Sequence, residues 1–190
     1  MKVVNVSQMR GLEQAAIEDC GVPSLLLMEN AAAGFLMALE RETGSVAGKK
    51  IHVFCGRGNN GGDGFAIARM AHNLHADVTI TLLFDETLAE GDAKTNLKIV
   101  KKMGIPFSAA GGCISCDIIV DAIFGTGFHG EIEGNVKSCI DAINNSGAFV
   151  ASVDIPSGVS ADTGHASASS VFADLCVTFA ALKPGHLLFP

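Results

Sequence analysis

Apolar positions recur along the chain in two rhythms, and their alternation predicts helices and buried strands taken in turn. Met9, Leu12, Ala15, Ala16 and Ile17 fall at helical spacing within residues 7–20, with Ser7 placed to cap the helix. Gly21-Val22-Pro23 interrupts that run, and Ser24 opens a longer helix reaching Arg41. The second helix is apolar almost all round and is expected to be covered on more than one side. Continuous apolar runs at 51–55, 117–124 and 148–153 read as buried strands, with further strands over 77–83 and 174–180 and a weaker one opening at 104–106. Helices over 63–74, 90–103 and 133–145 separate them, and a glycine pair at 111–112 breaks the chain before the strand at 117. The polar stretch 160–170 reads as an excursion over the surface. Strands that alternate with helices imply a parallel sheet covered on both faces.

Composition narrows the partners. One domain is the natural count for 190 residues, 48% of them apolar, and that length buries a substantial core. Trp and Tyr are absent, so no aromatic platform for stacking nucleic-acid bases is evident. A net charge of −7 argues against a surface that tracks phosphates, while leaving room for a small anionic ligand in a local site. Cys20, Cys55, Cys139 and Cys176 each sit in an apolar run and read as small buried residues. Cys113 and Cys116 form a C-x-x-C without the second pair that a zinc site needs. With no signal peptide and no apolar run of membrane-spanning length in the sequence, a cytoplasmic protein is expected.

The candidate chemistry lies after the strands. Between the apolar run ending at Cys55 and the helix near Asp63 the chain reads Gly56-Arg57-Gly58-Asn59-Asn60-Gly61-Gly62-Asp63-Gly64, a loop with so little side-chain bulk that a ligand can approach its backbone N–H groups. Two further loops, 121–131 and 154–157, follow strand ends. In a parallel sheet those ends share one edge, where ligands bind. Asn59, Asn60, Asp63, Asp121, Thr126, Asp154 and Ser157 should therefore converge despite their separation in sequence. The fold class is thus α/β, a Rossmann-like three-layer αβα sandwich with a mostly parallel central sheet.

Gly56-x-Gly58-x-x-Gly61, with Asp85 further on, also matches the dinucleotide fingerprint of an NAD-dependent oxidoreductase. Against that reading, Asp63 stands where the helix N-terminus would receive a pyrophosphate and would repel it. Asn60, Asp121 and Ser157 offer oxygen ligands carrying one formal charge, a set better suited to a monovalent ion than to Mg²⁺. Equally, Asp121 and Ser157 could simply cap turns. Asp154 is a general acid/base candidate or an acceptor for its own turn. His129 lies in the second loop, within reach of a ligand, whereas His52, His72, His75, His165 and His186 read as surface or core residues.

The glycine loop at 56–64, together with Asp121-Ala122-Ile123-Phe124-Gly125-Thr126-Gly127 and Val153-Asp154-Ile155-Pro156-Ser157-Gly158, closely resembles the YjeF N-terminal domain family of NAD(P)H-hydrate epimerases. Leu27-Met28-Glu29-Asn30-Ala31 and Lys183-Pro184-Gly185 are similar to family motifs in the same order. The resemblance spans residues 1–190 as a single domain, either shortened at its C-terminal end or part of a longer bifunctional chain.

It implies epimerisation of the R and S forms of hydrated NADH and NADPH in nicotinamide cofactor repair. The partner would be an NAD(P)H-hydrate dehydratase, fused or separate. By the same resemblance, Asn59, Asn60, Gly61, Gly62 and Asp63 contact the hydrated nucleotide, and Gly125, Thr126, Gly127, Phe128, His129, Gly130 and Glu131 wrap its phosphates. Asn60, Asp121 and Ser157 bind one K⁺ per subunit, and Asp154 touches the substrate and is the residue expected to move the proton. A homodimer is expected, with neither nucleic acid nor membrane as partner. The alternatives are a non-catalytic nucleotide-binding or protein-interaction scaffold of the same type, or the oxidoreductase.

Overall fold

A computed structural model describes residues 2–110 and 115–188. Six strands form one sheet: β1 (Lys50–Cys55), β2 (Asp77–Leu82), β3 (Phe107–Ser108), β4 (Ile118–Ala122), β5 (Phe149–Val153) and β6 (Leu175–Val177). Their order is β3-β2-β1-β4-β5-β6, and every pairing is parallel. Residues in β4 are buried throughout, Asp121 included, as a mainly apolar run requires for a strand covered on both faces. The chain winds outward in both directions from the β1/β4 pair. The crevice beyond the carboxyl ends of those two strands is therefore the topological switch point.

Helices α2 (Ser24–Thr43), α3 (Asn59–Asn73) and α4 (Gly91–Lys102) pack together over one face, where Phe35, Leu39, Phe65, Ile67 and Ile80 are fully buried. Helix α5 (Gly134–Asn144) covers part of the other face through Ile140 and Ile143, which meet Phe54, Ile119 and Val150. Helix α1 (Val6–Glu18) brings Val6 against Ile155, Val159 and Ala161 beyond the carboxyl edge of the sheet. A backbone bond to Asp162 Oδ1 at 2.7 Å ties it there. A short α6 (Gly185–Leu188) follows β6. No described helix is long and apolar enough to cross a membrane.

Several elements differ from the sequence expectation. Asn5, not Ser7, caps α1 through a reciprocal capping box, in which the Gln8 N–H donates to Asn5 Oδ1 and the Asn5 N–H to Gln8 Oε1, so that the two side chains satisfy one N–H group each. Helix α3 starts at Asn59, a full turn before Asp63, so Asp63 does not occupy the first-turn N–H donors as inferred. The stretch 160–170 is a surface excursion only in part: Asp162, Thr163, His165 and Ala168 are exposed, whereas Ala161, Ser167, Ser169 and Ser170 are buried, with Ser167 bonded to the loop after β4. Cys20 and Cys176 are exposed because they fall outside the faces the core uses. Within the single chain α2 buries one side only, through Met28, Ala32, Phe35, Leu36 and Leu39, and leaves Leu26 and Met37 exposed. The 111–112 break and Cys113 lie outside the described residues.

Candidate active site

Close backbone packing builds the crevice. A Cβ on Gly56 would collide with the carbonyl of Ile123, and one on Gly61 with the carbonyl of Gly56, so the loops after β1 and β4 touch main chain to main chain. Gly125 packs less tightly against the amide of Asn60, where an added Cβ would lie 3.2 Å from Oδ1. Gly61 and Gly62 are thus buried packing positions and do not line the cavity, whereas Asn59, Asn60 and Asp63 do.

That cavity, about 440 Å³, is lined by Asn59, Asn60, Asp63, Gly125, Thr126, Gly127, Phe128 and Asp154 from the expected set. His129 and Glu131 line a neighbouring groove of about 310 Å³ that shares Gly127 and Phe128. Glu131 instead accepts hydrogen bonds from Ser167 Oγ at 2.8 Å and the Ala168 N–H at 3.2 Å, which pull its carboxyl below the usual range and fasten the loop to the partly buried 160–170 stretch.

Asp121 and Ser157 do not line the cavity; Asp121 is fully buried near the end of β4, beneath the turn that follows it. Its Oδ1 accepts from Ser157 Oγ at 2.5 Å and the Ile123 N–H at 3.3 Å, and its Oδ2 from Ser152 Oγ at 2.8 Å and the Ser157 N–H at 2.9 Å. Burial raises its pKa against the pull of these donors, none of which is a cation. The Ser157 hydroxyl also receives the Phe124 N–H at 2.9 Å. Asp121, Ser157 and the 123–125 turn are therefore one unit, with Asn60 against Gly125 beside it. The Asn60 Nδ2 is buried with no hydrogen-bond partner among the described residues.

Asp154 follows β5 with a left-handed backbone, φ 67°. Such a conformation strains a residue with a Cβ and persists only when its surroundings hold it. Here its N–H donates to Val177 O at 2.8 Å, and His186 Nε2 lies 2.7 Å from its carbonyl. Its side chain is aimed by Lys183, whose Nζ is 2.6 Å from Asp154 Oδ1, 2.7 Å from Thr178 Oγ1 and 3.4 Å from Phe179 O. Thr178 Oγ1 adds a bond to the same carboxyl oxygen at 3.0 Å. Lys183 is only 1% exposed, so an ammonium is buried to meet this one carboxylate.

Two more carboxyls face the same end. Burial, then the charges of Asp154 and Glu13, push the Asp63 carboxyl well above the usual range. Burial and Asp154 raise Glu13 of α1, with Lys183 and Arg10 opposing. The rim is basic: Arg10 reaches over Gly127, and Arg57 bonds to Leu88 O and faces Glu90. Sequence reasoning missed Arg10, Glu13 and Arg57 as site residues and gave Lys183 a motif without a role. A charged residue beside a Pro-Gly turn was the one signal for Lys183; α1 read as an ordinary amphipathic helix and gave none.

The family described as YjeF-related protein N-terminus matches residues 24–185. The Bifunctional NAD(P)H-hydrate repair enzyme Nnr of Moorella thermoacetica is 39% identical over 201 aligned positions; the match takes in all of this chain but only 38% of that protein's length. The NAD(P)H-hydrate epimerase of Limosilactobacillus fermentum is 38% identical, with 97% of this chain and 88% of the relative covered. Among solved structures, yeast ynu0, YNL200c, superposes with a TM-score of 0.86 at 23% identity, over all of this chain and 85% of the yeast chain, a likeness of fold.

Proposed function

The chain belongs to the YjeF-related N-terminal family, and from that premise we infer that it interconverts the R and S epimers of hydrated NADH and NADPH. The observation carrying this reading is the meeting of Asn59, Asn60, Asp63 and Asp154 in one cavity at the switch point of the sheet, with acidic groups at its floor and Arg10 and Arg57 at its rim. A hydrated nicotinamide ring at the acidic end leaves the phosphates near the guanidinium groups and the glycine loop. Asp154 is the proton-transfer residue of this reading: one oxygen is pinned by Lys183 and Thr178, and the other accepts no hydrogen bond among the described residues. The test is chromatographic resolution of the two hydrate epimers, starting from one of them. Approach to an equilibrium mixture on adding protein is expected, and a ratio that moves no faster than in buffer overturns the assignment.

K⁺ belongs to the same reading, and the residues fit it. Asp121 is a buried carboxylate with neutral partners only, and the Asn60 amide has an unpartnered end that a half-turn would replace by its oxygen. Asn60, Asp121 and Ser157 would hold the ion, which would supply charge compensation beneath the 123–125 turn. With nucleotide bound, the melting temperature is expected to be higher in KCl than in NaCl at equal concentration; identical transitions would remove K⁺ from the site.

The functional partner is an NAD(P)H-hydrate dehydratase, in keeping with the bifunctional relative, of which this chain matches 38%. A homodimer through the exposed stripe of α2 at Leu26 and Met37 completes the picture, and sedimentation as a monomer would remove it.

A further inference from the structure

The two routes open to an epimerase of this substrate make opposite electrostatic demands. In the hydrated ring the hydroxyl-bearing carbon adjoins the ring nitrogen. Opening the ring pulls the proton from that hydroxyl and accumulates negative charge on its oxygen. Losing the hydroxyl as water instead leaves a cationic carbon–nitrogen double bond.

The cavity floor presents three carboxyls, those of Glu13, Asp63 and Asp154. Its one buried ammonium, Lys183, has three protons and three protein acceptors for them, Asp154 Oδ1, Thr178 Oγ1 and Phe179 O. No proton of Lys183 is left to stabilise an oxyanion. Asp63, on α3, accepts no hydrogen bond among the described residues, so its carboxyl is free to meet a ligand. Once Asp63 has given up a proton, its carboxylate and the open oxygen of Asp154 face the ring with no ammonium proton between them, so the site stabilises positive charge there.

We propose that Asp63 is a second catalytic acid–base group, working with Asp154, and that the epimers interconvert by loss and re-addition of the hydroxyl. The inference rests on the epimerase reading above.

Asp63, in its acid form, gives its proton to the hydroxyl. The carbon–oxygen bond breaks with its electron pair going to oxygen, water leaves, and the nitrogen lone pair closes a carbon–nitrogen double bond. A water then adds to the carbon from the other face, the double-bond pair returns to nitrogen, and Asp154 takes the proton that this water gives up. The product is the opposite epimer, with one proton moved from Asp63 to Asp154; reverse turnover or exchange with solvent resets the pair. The groups facing Asp63 agree with a neutral acid there. Glu13 from α1 and Asp154 after β5 both disfavour a carboxylate, while Lys183 is committed to Asp154 and Arg10 and Arg57 stand at the rim.

The experiment runs the reaction from one pure epimer in water enriched in heavy oxygen and measures, by mass spectrometry, label in each epimer against the extent of interconversion. Loss and re-addition puts about one labelled atom into each molecule that has inverted. Catalysed inversion with the original oxygen retained overturns the proposal while leaving the epimerase reading intact. No catalysed inversion at all sinks both, and the two failures are thus distinct. A second arm uses Asp63→Asn, which keeps size and shape. A catalytic acid predicts that kcat falls at least about 100-fold with KM changed little, and that the loss of kcat towards high pH expected of the wild type is absent from the variant. A raised KM at unchanged kcat would reduce Asp63 to a binding contact and overturn the proposal.

Discussion

Asp121 and Asp154 stand at the carboxyl ends of adjacent strands, yet the protein treats them in opposite ways. Asp121 is surrounded: Ser152, Ser157 and Ile123 donate to both its oxygens, none of them a cation, and every donor belongs to a strand end or turn that must stay in place. Asp154 is held on one side only, by a buried ammonium and Thr178, on a strained backbone that turns its second oxygen loose. The first arrangement ties loops together; the second holds a reactive group still. Satisfied hydrogen bonds make a carboxylate structural, and strain with an open lone pair makes its neighbour chemical.

The sharpest way to break this contrast is Asp154→Asn. Asparagine tolerates the left-handed backbone better than alanine would, so the fold should survive. Epimer interconversion should fall by about 10²–10⁴ in rate, the usual worth of a positioned acid–base group. Circular dichroism checks the fold and the chromatographic assay the rate; activity within a few-fold of wild type would remove Asp154 from proton transfer.

Lys183→Met comes next, because it leaves a largely buried carboxylate without its cation. The expected cost is about 3–5 kcal/mol, read from urea unfolding. If stability were unchanged, the pair would not be what holds Asp154.

A gentler effect separates Asp63 from both. Its folded carboxyl titrates above its unfolded value, so between those two values the folded state binds more protons and stability declines as pH rises. Asp63→Asn should flatten that decline, by at most about 1.4 kcal/mol per pH unit over the window where Asp63 titrates. The variant should thus gain on wild type at neutral pH relative to acid pH. Parallel stability curves for the two proteins would mean that the group is not desolvated.

The smallest effect is at Asp121. Ser152→Ala removes one of its four donors and should cost about 1–2 kcal/mol with activity nearly unchanged. A large loss of rate would show that the surrounded carboxylate is chemical after all.

Much of the fold was legible in the chain because it depends on local rules. The mainly apolar runs at 51–55 and 117–124, interrupted by His52 and Asp121, suit strands covered on both faces, and the helical spacing between them leaves a parallel sheet as the economical solution. The gathering of Asn60, Asp121, Asp154 and Ser157 followed from that topology, since parallel strands deliver their following loops to one edge. Errors of detail fell where tertiary contact outweighs local preference. The serine-rich 160–170 stretch looks solvated by composition, yet its serines at 167, 169 and 170 are buried, where Glu131, the Ile132 N–H and the backbone around Gly158 take up polar groups of the stretch.

By itself, then, the sequence determined the sheet, its carboxyl edge and the identity of the polar residues delivered there, because periodicity and glycine placement act over a few residues at a time. Only the tertiary structure decided that α1 would add Arg10 and Glu13, that Lys183 would be buried to aim Asp154, and that Asp63 would have no hydrogen-bond partner among the described residues. Those outcomes depend on which charges lose water together, and desolvation is a property of packed neighbours that no linear pattern carries.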